Sequence, residues 1–399
     1  MRRIILSAAL ILTAASCGLS ETEMSRRPAG GGTWRNPSFS SDSTSSGICY
    51  VTGLDYPEGY DWRADPDKGA VRCSLVVFAD GKPIMKVPVG EAYHTGSDPD
   101  MHRMIGNHLY TDYSTASETI IKKDGVEMFR YPGREMILGM CISEGEVFTL
   151  GQPREGDGFS YRKNGEIILA SDSGRAFPRL QMEGDSLFFA YCEYIESAGG
   201  RMERYHQVMN GNVRQIAVRE DIRKVWDVLY HDGEVHYLAD LTGISSPVII
   251  SAQGMTALES SKGMKISGGR LFSAGRSLVV EAIYSSTGVQ YAGGIWKDGR
   301  KLHLFTDGMT ICGISNYNEG ISCVLNPGPI YGKGQIFRNG DSFPMPDGYI
   351  FMGSSPVAYV KGILYVGLSS LTRKRPAIWK DGKLEEIDLN GFICTLKAE

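Results

Sequence analysis

Apolar residues along this chain come in short alternating runs, each closed by a glycine-bearing turn, and no stretch shows a sustained helical period. The clearest run is Ala377-Ile378-Trp379-Lys380-Asp381-Gly382-Lys383-Leu384, an apolar strand, an Asp-Gly corner and the start of a second strand. Asp-Gly tolerates positive φ at two successive residues, which a type I′ turn between right-twisted strands requires. The pattern is therefore a hairpin, and it recurs.

Copies of the corner fall at Gly81, Gly125, Gly165, Gly211, Gly254, Gly299, Gly340 and Gly382, at intervals of 44, 40, 46, 43, 45, 41 and 42 residues. So narrow a spread is the mark of one supersecondary unit repeated. The weakest copy has Gln253 where the others carry Asp or Asn, but without it the gap from 211 to 299 would be two periods. A second signature precedes each hairpin, clearest as Gly362-Ile363-Leu364-Tyr365-Val366-Gly367, with parallels at Gly145-Glu146-Val147-Phe148 and Gly233-Glu234-Val235-His236-Tyr237. Each unit thus holds four strands: an apolar first strand, a tight turn, the Leu-Tyr-Val strand, a longer loop, the Ile-Trp strand, the Asp-Gly turn and a fourth strand.

Four short antiparallel strands repeated every 40-odd residues predict an all-β fold, a β-propeller of four-stranded blades. The count gives eight blades, or seven if one unit is degenerate; a set of stacked sheets or two separate β domains is the competing arrangement. The first unit begins at its second strand, Ile48 to Thr52, while Gly391 to Leu396 reads as a first strand with no second strand after it. The last strand is therefore expected to complete the blade begun at residue 48, closing the ring and removing its exposed edges.

The head of the chain is different. Arg2 and Arg3, an apolar run from Ile4 to Leu12 and small residues to Ser16 form a secretory signal over residues 1–16, too short to span a membrane. Cys17 directly after the small residues resembles the lipobox cysteine of bacterial lipoproteins, with Ala14 where a leucine is more usual. That resemblance implies acylation of Cys17 and a membrane tether, with stable anchoring from several chains. Residues 17–46 are rich in Ser, Gly, Pro and Arg and bury too little apolar surface to fold, so they are expected to form a flexible tether before the propeller at 47–399. Glu21 and Glu23 resemble the acidic surface-export signal of Bacteroidota lipoproteins. An outer-membrane lipoprotein on the cell surface or the periplasmic face follows as the expected address.

Charge narrows the partners. Without Arg2 and Arg3 the 42 basic residues become 40 against 46 acidic ones, a net of −6, with no basic stripe for nucleic acid. Of eight cysteines, seven remain after Cys17, all in apolar strand patterns and none at metal spacing, so buried thiols are expected. The one disulfide worth testing is Cys49 with Cys394, whose strands the closure brings side by side.

In a propeller the connections between second and third strands, and those between blades, gather on one face, where function tends to reside. Here they carry Tyr56, Tyr60, Trp62, Tyr113, Phe159, Tyr194, Tyr205, Tyr291 and Tyr331 among Asp, Glu and Arg residues. Such a rim suits a sugar or peptide, with aromatic faces for stacking and polar tips for hydroxyl groups. Trp62, on the longest loop and without a repeat counterpart, is the leading contact. Trp296 and Trp379 share one repeat position and are core residues, while Trp226 on a first strand faces either the axis or a blade interface. His94 to His102 holds two histidines and two aspartates in nine residues, but Gly, Ser, Asp and Pro there are ordinary turn chemistry, and no metal site is assigned. No Gly-x-Ser-x-Gly elbow, phosphate loop, His-Glu-x-x-His motif or quinone-dehydrogenase repeat occurs, so no cofactor or catalytic residue is assigned either.

The pairing of Leu-Tyr-Val-x-Gly with Ile-Trp-Lys-Asp-Gly-Lys, over about residues 47 to 396, resembles surface β-propeller lipoproteins of Bacteroidota. The resemblance implies an extracytoplasmic module with no family catalytic residues to carry over. The expected function is binding of a glycan, peptide or protein partner on the loop-rich face. A glycoside hydrolase or polysaccharide lyase with carboxylates at the central channel, and a structural subunit of an envelope assembly, are the alternatives.

Overall fold

The computed structural model describes residues 47–61, 73–89, 102–115, 117–197, 200–216, 221–244, 246–259, 265–274, 276–285, 291–305, 310–317, 320–326, 334–351, 357–370 and 375–398. Cys17, the tether, Trp62, Tyr331 and the stretch from His94 to Met101 lie outside them. The described residues form antiparallel strands and no helix.

Eight four-stranded blades make a closed β-propeller. In seven of them the strands follow one another outward from the axis, as in Glu135–Ser143, Glu146–Pro153, Phe159–Lys163 and Glu166–Ser171 of blade 3. The inner strands of blades 4 and 8 come in two pieces, Arg175–Ala176 with Gln181–Glu183 and Tyr349–Ile350 with Val357–Val360. Blade 1 alone is assembled from both ends of the repeat array, with Gly391–Ala398 as its innermost strand against Cys49–Asp55. The register runs from Cys49 opposite Ala398 to Asp55 opposite Gly391. Ring closure by the last strand is thus as the sequence predicts.

Burial falls outward across each blade. The run Leu187 to Cys192 in the second strand of blade 4 is buried throughout, because neighbouring blades cover both faces of the sheet, whereas the outermost strand Lys383–Glu386 of blade 8 is fully exposed. Apolar residues on both sides of the inner strands meet those of the next blade in eight separate core clusters, one at each junction. The junction between blades 8 and 1 packs Val51, Phe78, Ile393 and Leu396 against Ala358, Val360 and Ile378, so hydrophobic burial as well as backbone pairing holds the ring shut. Trp296 and Trp379 are both buried in these junctions.

The corners explain the repeat. In seven units the Asp or Asn has φ between 41° and 51° and the following glycine between 78° and 104°, the type I′ geometry. The Asp or Asn also ties its hairpin to the start of the second strand: Asp124 Oδ1 accepts from Leu109 N–H at 2.9 Å and Asp124 N–H donates to Leu109 O at 2.8 Å. Asn164 with Val147, Asn210 with Leu187 and Asp298 with Leu278 do the same. Blade 5 differs by one residue. Ser251 pairs with Gly254, so Ala252 and Gln253 form the corner, neither at positive φ, and Gly254 opens the outer strand. Glu234 replaces the missing tie, its Oε1 accepting from Gln253 N–H at 3.0 Å. The weak copy is therefore a full blade with a shifted turn.

Cys49 and Cys394 are free, buried thiols. Cys49 pairs with Ala398, four positions along from Cys394, and their side chains pack in different junctions. Burial pushes the thiol of Cys49 up to about 12 and raises that of Cys394 as well.

Candidate functional site

The two faces of the ring are unlike. One carries two-residue turns, such as Gly106-Asn107, Glu144-Gly145, Asp232-Gly233 and the Asp-Gly corners. The other carries the connections from second to third strands, which run from Tyr56 to the strand at Cys73 in blade 1 and from Asn326 to Gln335 in blade 7.

On that face the predicted aromatics separate into groups. Tyr56, Phe159 and Tyr205 are buried, 2–3 % exposed. Tyr56 packs at 5.3 Å from the half-buried Tyr60, and their loop is pinned by Asn390, whose backbone oxygen accepts from Tyr56 N–H at 2.9 Å and whose Nδ2 donates to Pro57 O at 2.7 Å. Phe159 lies 4.5 Å from Tyr191 in the junction of blades 3 and 4. Tyr205 accepts from Val225 N–H of blade 5 at 3.1 Å and bonds Glu203. Tyr194 is half-buried, with the Arg201 guanidinium 3.3 Å above its ring and Arg201 paired in turn with Asp157 of blade 3. Tyr113 lies in the strand His108–Ser114 and Tyr291 opens the strand Tyr291–Lys297; their side chains lie outside the described ones. The structure brings Tyr56 with Tyr60, and Tyr194 with Arg201 and Asp157, into contact.

Nearer the axis stands a charged cluster that the sequence pattern did not single out. Arg179 and Asp227 occupy the same repeat position, four residues before the ends of their inner strand pieces at Glu183 and His231. The register of Ile222–His231 slips between Val225 and Asp227. Val225 and Val228 pack toward blade 4, and Trp226 and Leu229 toward blade 6, so the bulge turns Asp227 out of both junctions. Arg179 of blade 4 donates to Asp227 Oδ2 at 2.9 Å, to Val228 O at 3.0 Å and to Leu271 O of blade 6 at 2.7 Å. Asp227 also accepts from Leu271 N–H at 2.8 Å and Val228 N–H at 2.9 Å. One buried ion pair thus laces three consecutive blades. Trp226 itself is half-buried, with the Lys224 ammonium 4.1 Å from its ring.

Other buried carboxylates are likewise held by arginine. Glu281 accepts from Arg270 Nε at 2.6 Å; burial raises its pKa, with Arg270 opposing. Glu135 accepts from Arg162 at 2.9 Å and from Ser160 Oγ at 2.8 Å. A carboxylate saturated in this way is poorly placed to take or give a proton during a reaction. His102, the described member of the cluster beginning at His94, is buried on the inner strand of blade 2, and burial with the neighbouring Arg103 pushes its imidazole down to about 3. Among the described residues no three His, Cys, Asp or Glu side chains are placed to hold a metal ion.

No protein-family profile matches the chain, and no curated protein does. Solved structures are similar to it in fold. The dihydro-heme d1 dehydrogenase NirN superposes with a TM-score of 0.51 at 12% identity, over 91% of this chain and 77% of that one. The β-propeller domain of the Trilobed protease from Pyrococcus furiosus matches with a TM-score of 0.46 at 10% identity, over 76% of this chain and 96% of that one. A puromycin-hydrolyzing peptidase of Mycobacterium tuberculosis matches with a TM-score of 0.40 at 13% identity, and the chain spans only 46% of that protein's length. At these identities the likeness is one of fold, and the fold of this chain is the eight-bladed β-propeller.

Proposed function

We propose that the chain is a lipid-anchored extracytoplasmic protein that binds a glycan, peptide or protein partner on the loop-bearing face of its propeller. The observation that carries this reading is the asymmetry of the ring, with tight turns on one face and every long connection on the other. The arginine-saturated state of Asp227, Glu281 and Glu135 favours binding over hydrolysis. Cys17 after a run of small residues supports the anchor and an outer-membrane address.

Two measurements test the reading. Labelling with an alkyne-bearing fatty acid is expected to mark the wild-type chain and not Cys17→Ala. On a glycan array and in peptide pull-downs the protein is expected to retain a ligand without releasing product, and Tyr60→Ala and Tyr194→Ala each to weaken retention by up to about tenfold, the scale of one lost stacking contact. New reducing ends from a polysaccharide would replace the binding reading with a hydrolase.

A further inference from the structure

The described part of the chain starts at Gly47, and it starts on the turn face. Cys49 O accepts from Asp80 N–H at 3.2 Å, beside the corner of blade 1, and Gly47 lies against Lys361 in the inner turn of blade 8. The 30 residues from 17 to 46 therefore join the ring from that side, which keeps Cys17 within about 100 Å of Gly47 at full extension. Charge is divided unevenly over this face. Lys82 of blade 1 and Lys361 and Lys383 of blade 8 are exposed, and no carboxylate among the described residues pairs with any of them. The carboxylates beside them are engaged: Asp80 accepts from Cys49 N–H at 3.4 Å, Asp381 from Arg338 at 2.7 Å and from Leu364 N–H at 3.1 Å, and Glu385 from Lys380. Across the ring, the inner turns of blades 3, 4 and 5 carry exposed Glu144, Asp185 and Asp232 instead. Apolar side chains stand among the lysines, with Ile84, Ile363 and Leu384 53 %, 40 % and 41 % exposed and each within three residues of a turn glycine. Val126 and Ile167 hold similar places in blades 2 and 3, so charge is what sets the sector of blades 8 and 1 apart.

We propose that this sector of the turn face, around Lys82, Lys361 and Lys383, rests on the anionic headgroups of the membrane that holds Cys17, with the loop-bearing face turned away from the lipid. The proposal builds on the lipid-anchored reading above and adds to it which face meets the bilayer. A lysine at an anionic surface strengthens association about fivefold, and exposed Ile363 and Leu384 enter the headgroup layer beside the two lysines of blade 8. Three such charges by themselves give a weak, reversible contact. Acyl chains on Cys17 make it effective, because they hold the face at high local concentration beside the lipid. The same surface repels Glu144, Asp185 and Asp232, so the ring tilts with blades 8 and 1 toward the membrane and blades 3 to 5 away from it. The long connections of every blade then remain open to a partner arriving from the far side.

Lysine footprinting of the mature, acylated chain reads this contact. In phosphatidylcholine vesicles with added phosphatidylglycerol, Lys82, Lys361 and Lys383 are expected to react with a water-soluble amine-specific ester at least about fivefold more slowly than in phosphatidylcholine alone. Lys163, exposed on the same face at blade 3, should react at an unchanged rate. High salt is expected to abolish the protection. Lys361→Glu with Lys383→Glu should return Lys82 to its rate in phosphatidylcholine, and the fold tolerates the change, since Glu144 already stands at positive φ in the matching turn of blade 3. Equal rates in the two vesicles, protection of Lys163 as strong as that of the three, or a Lys82 still protected in the double variant would each overturn the proposal. Protection in detergent that grows with protein concentration would overturn it too and assign the sector to a second copy of the chain. A Cys17 without acyl chains fails the anchor alone: excess phosphatidylglycerol vesicles at low ionic strength are then still expected to protect the same three lysines, and their failure to do so sinks the docking face as well.

Discussion

At the scale of the residue, the Asp or Asn of a type I′ corner has two duties, and only one was legible. Tolerance of positive φ marks Asp-Gly in any sequence, whereas the bond to the second strand needs a partner 15 residues away for Asp124 and Leu109. Asp124→Ala is accordingly expected to cost about 1–3 kcal/mol in urea unfolding, from the left-handed backbone and the orphaned Leu109 N–H. Gln253→Ala, whose corner lacks positive φ and whose tie comes from its backbone, should change stability by less than about 0.5 kcal/mol. His102 makes a separate prediction. Its folded pKa of about 3 lies below the 6.5 of a free imidazole, so the unfolded chain takes up the proton first and stability is lost as pH falls below 6.5. Between pH 7 and pH 5 the loss is about 2 kcal/mol, and His102→Gln should flatten it in denaturant titrations. Tyr56, Phe159 and Tyr205 read as rim aromatics because the sequence pattern placed them in connections, whereas Phe159 opens the strand Phe159–Lys163 and Tyr205 lies within Gly200–Met209. Their burial was not legible, since each packs into a blade junction, and the sequence does not say how closely one blade meets the next.

Elements were read more completely than residues. Alternation and turn chemistry located the repeat through its own unit, and even the shifted corner at Gln253 left the period intact. What escaped was the exception inside an element: charged Asp227 within the inner strand of blade 5, and Arg179 in the break between the two inner-strand pieces of blade 4. A charge at the same repeat position in two successive units was the available signal. Removing one partner strands the other away from water, so Asp227→Ala is expected to cost about 3–5 kcal/mol in chemical denaturation. Replacing both, as Arg179→Met with Asp227→Leu, should recover much of that loss, because an apolar pair of similar volume needs no counter-charge. If the double variant is no more stable than Asp227→Ala, the backbone bonds from Leu271 and Val228 matter more than the ion pair.

For the whole molecule, closure follows from the mismatch between a unit that starts at its second strand and a tail that supplies a first. The blade junctions themselves lay beyond the sequence, because which apolar residues meet across a junction depends on the tilt of one sheet against the next. Gly391 offers a point test of the seam: a Cβ there would sit 1.7 Å from Leu54 O. Gly391→Ala should therefore lower stability by about 1–3 kcal/mol, read as a shift in the urea midpoint, with the other blades' corners unaffected. The seam also sets the order of events during folding. Asn390 bonds Asp55 across 335 residues, so blade 1 stays a three-stranded fragment with a bare apolar margin while the rest of the polypeptide is made. Until the final segment arrives that margin stays unsatisfied, which leaves the growing chain open to pairing with other extended strands.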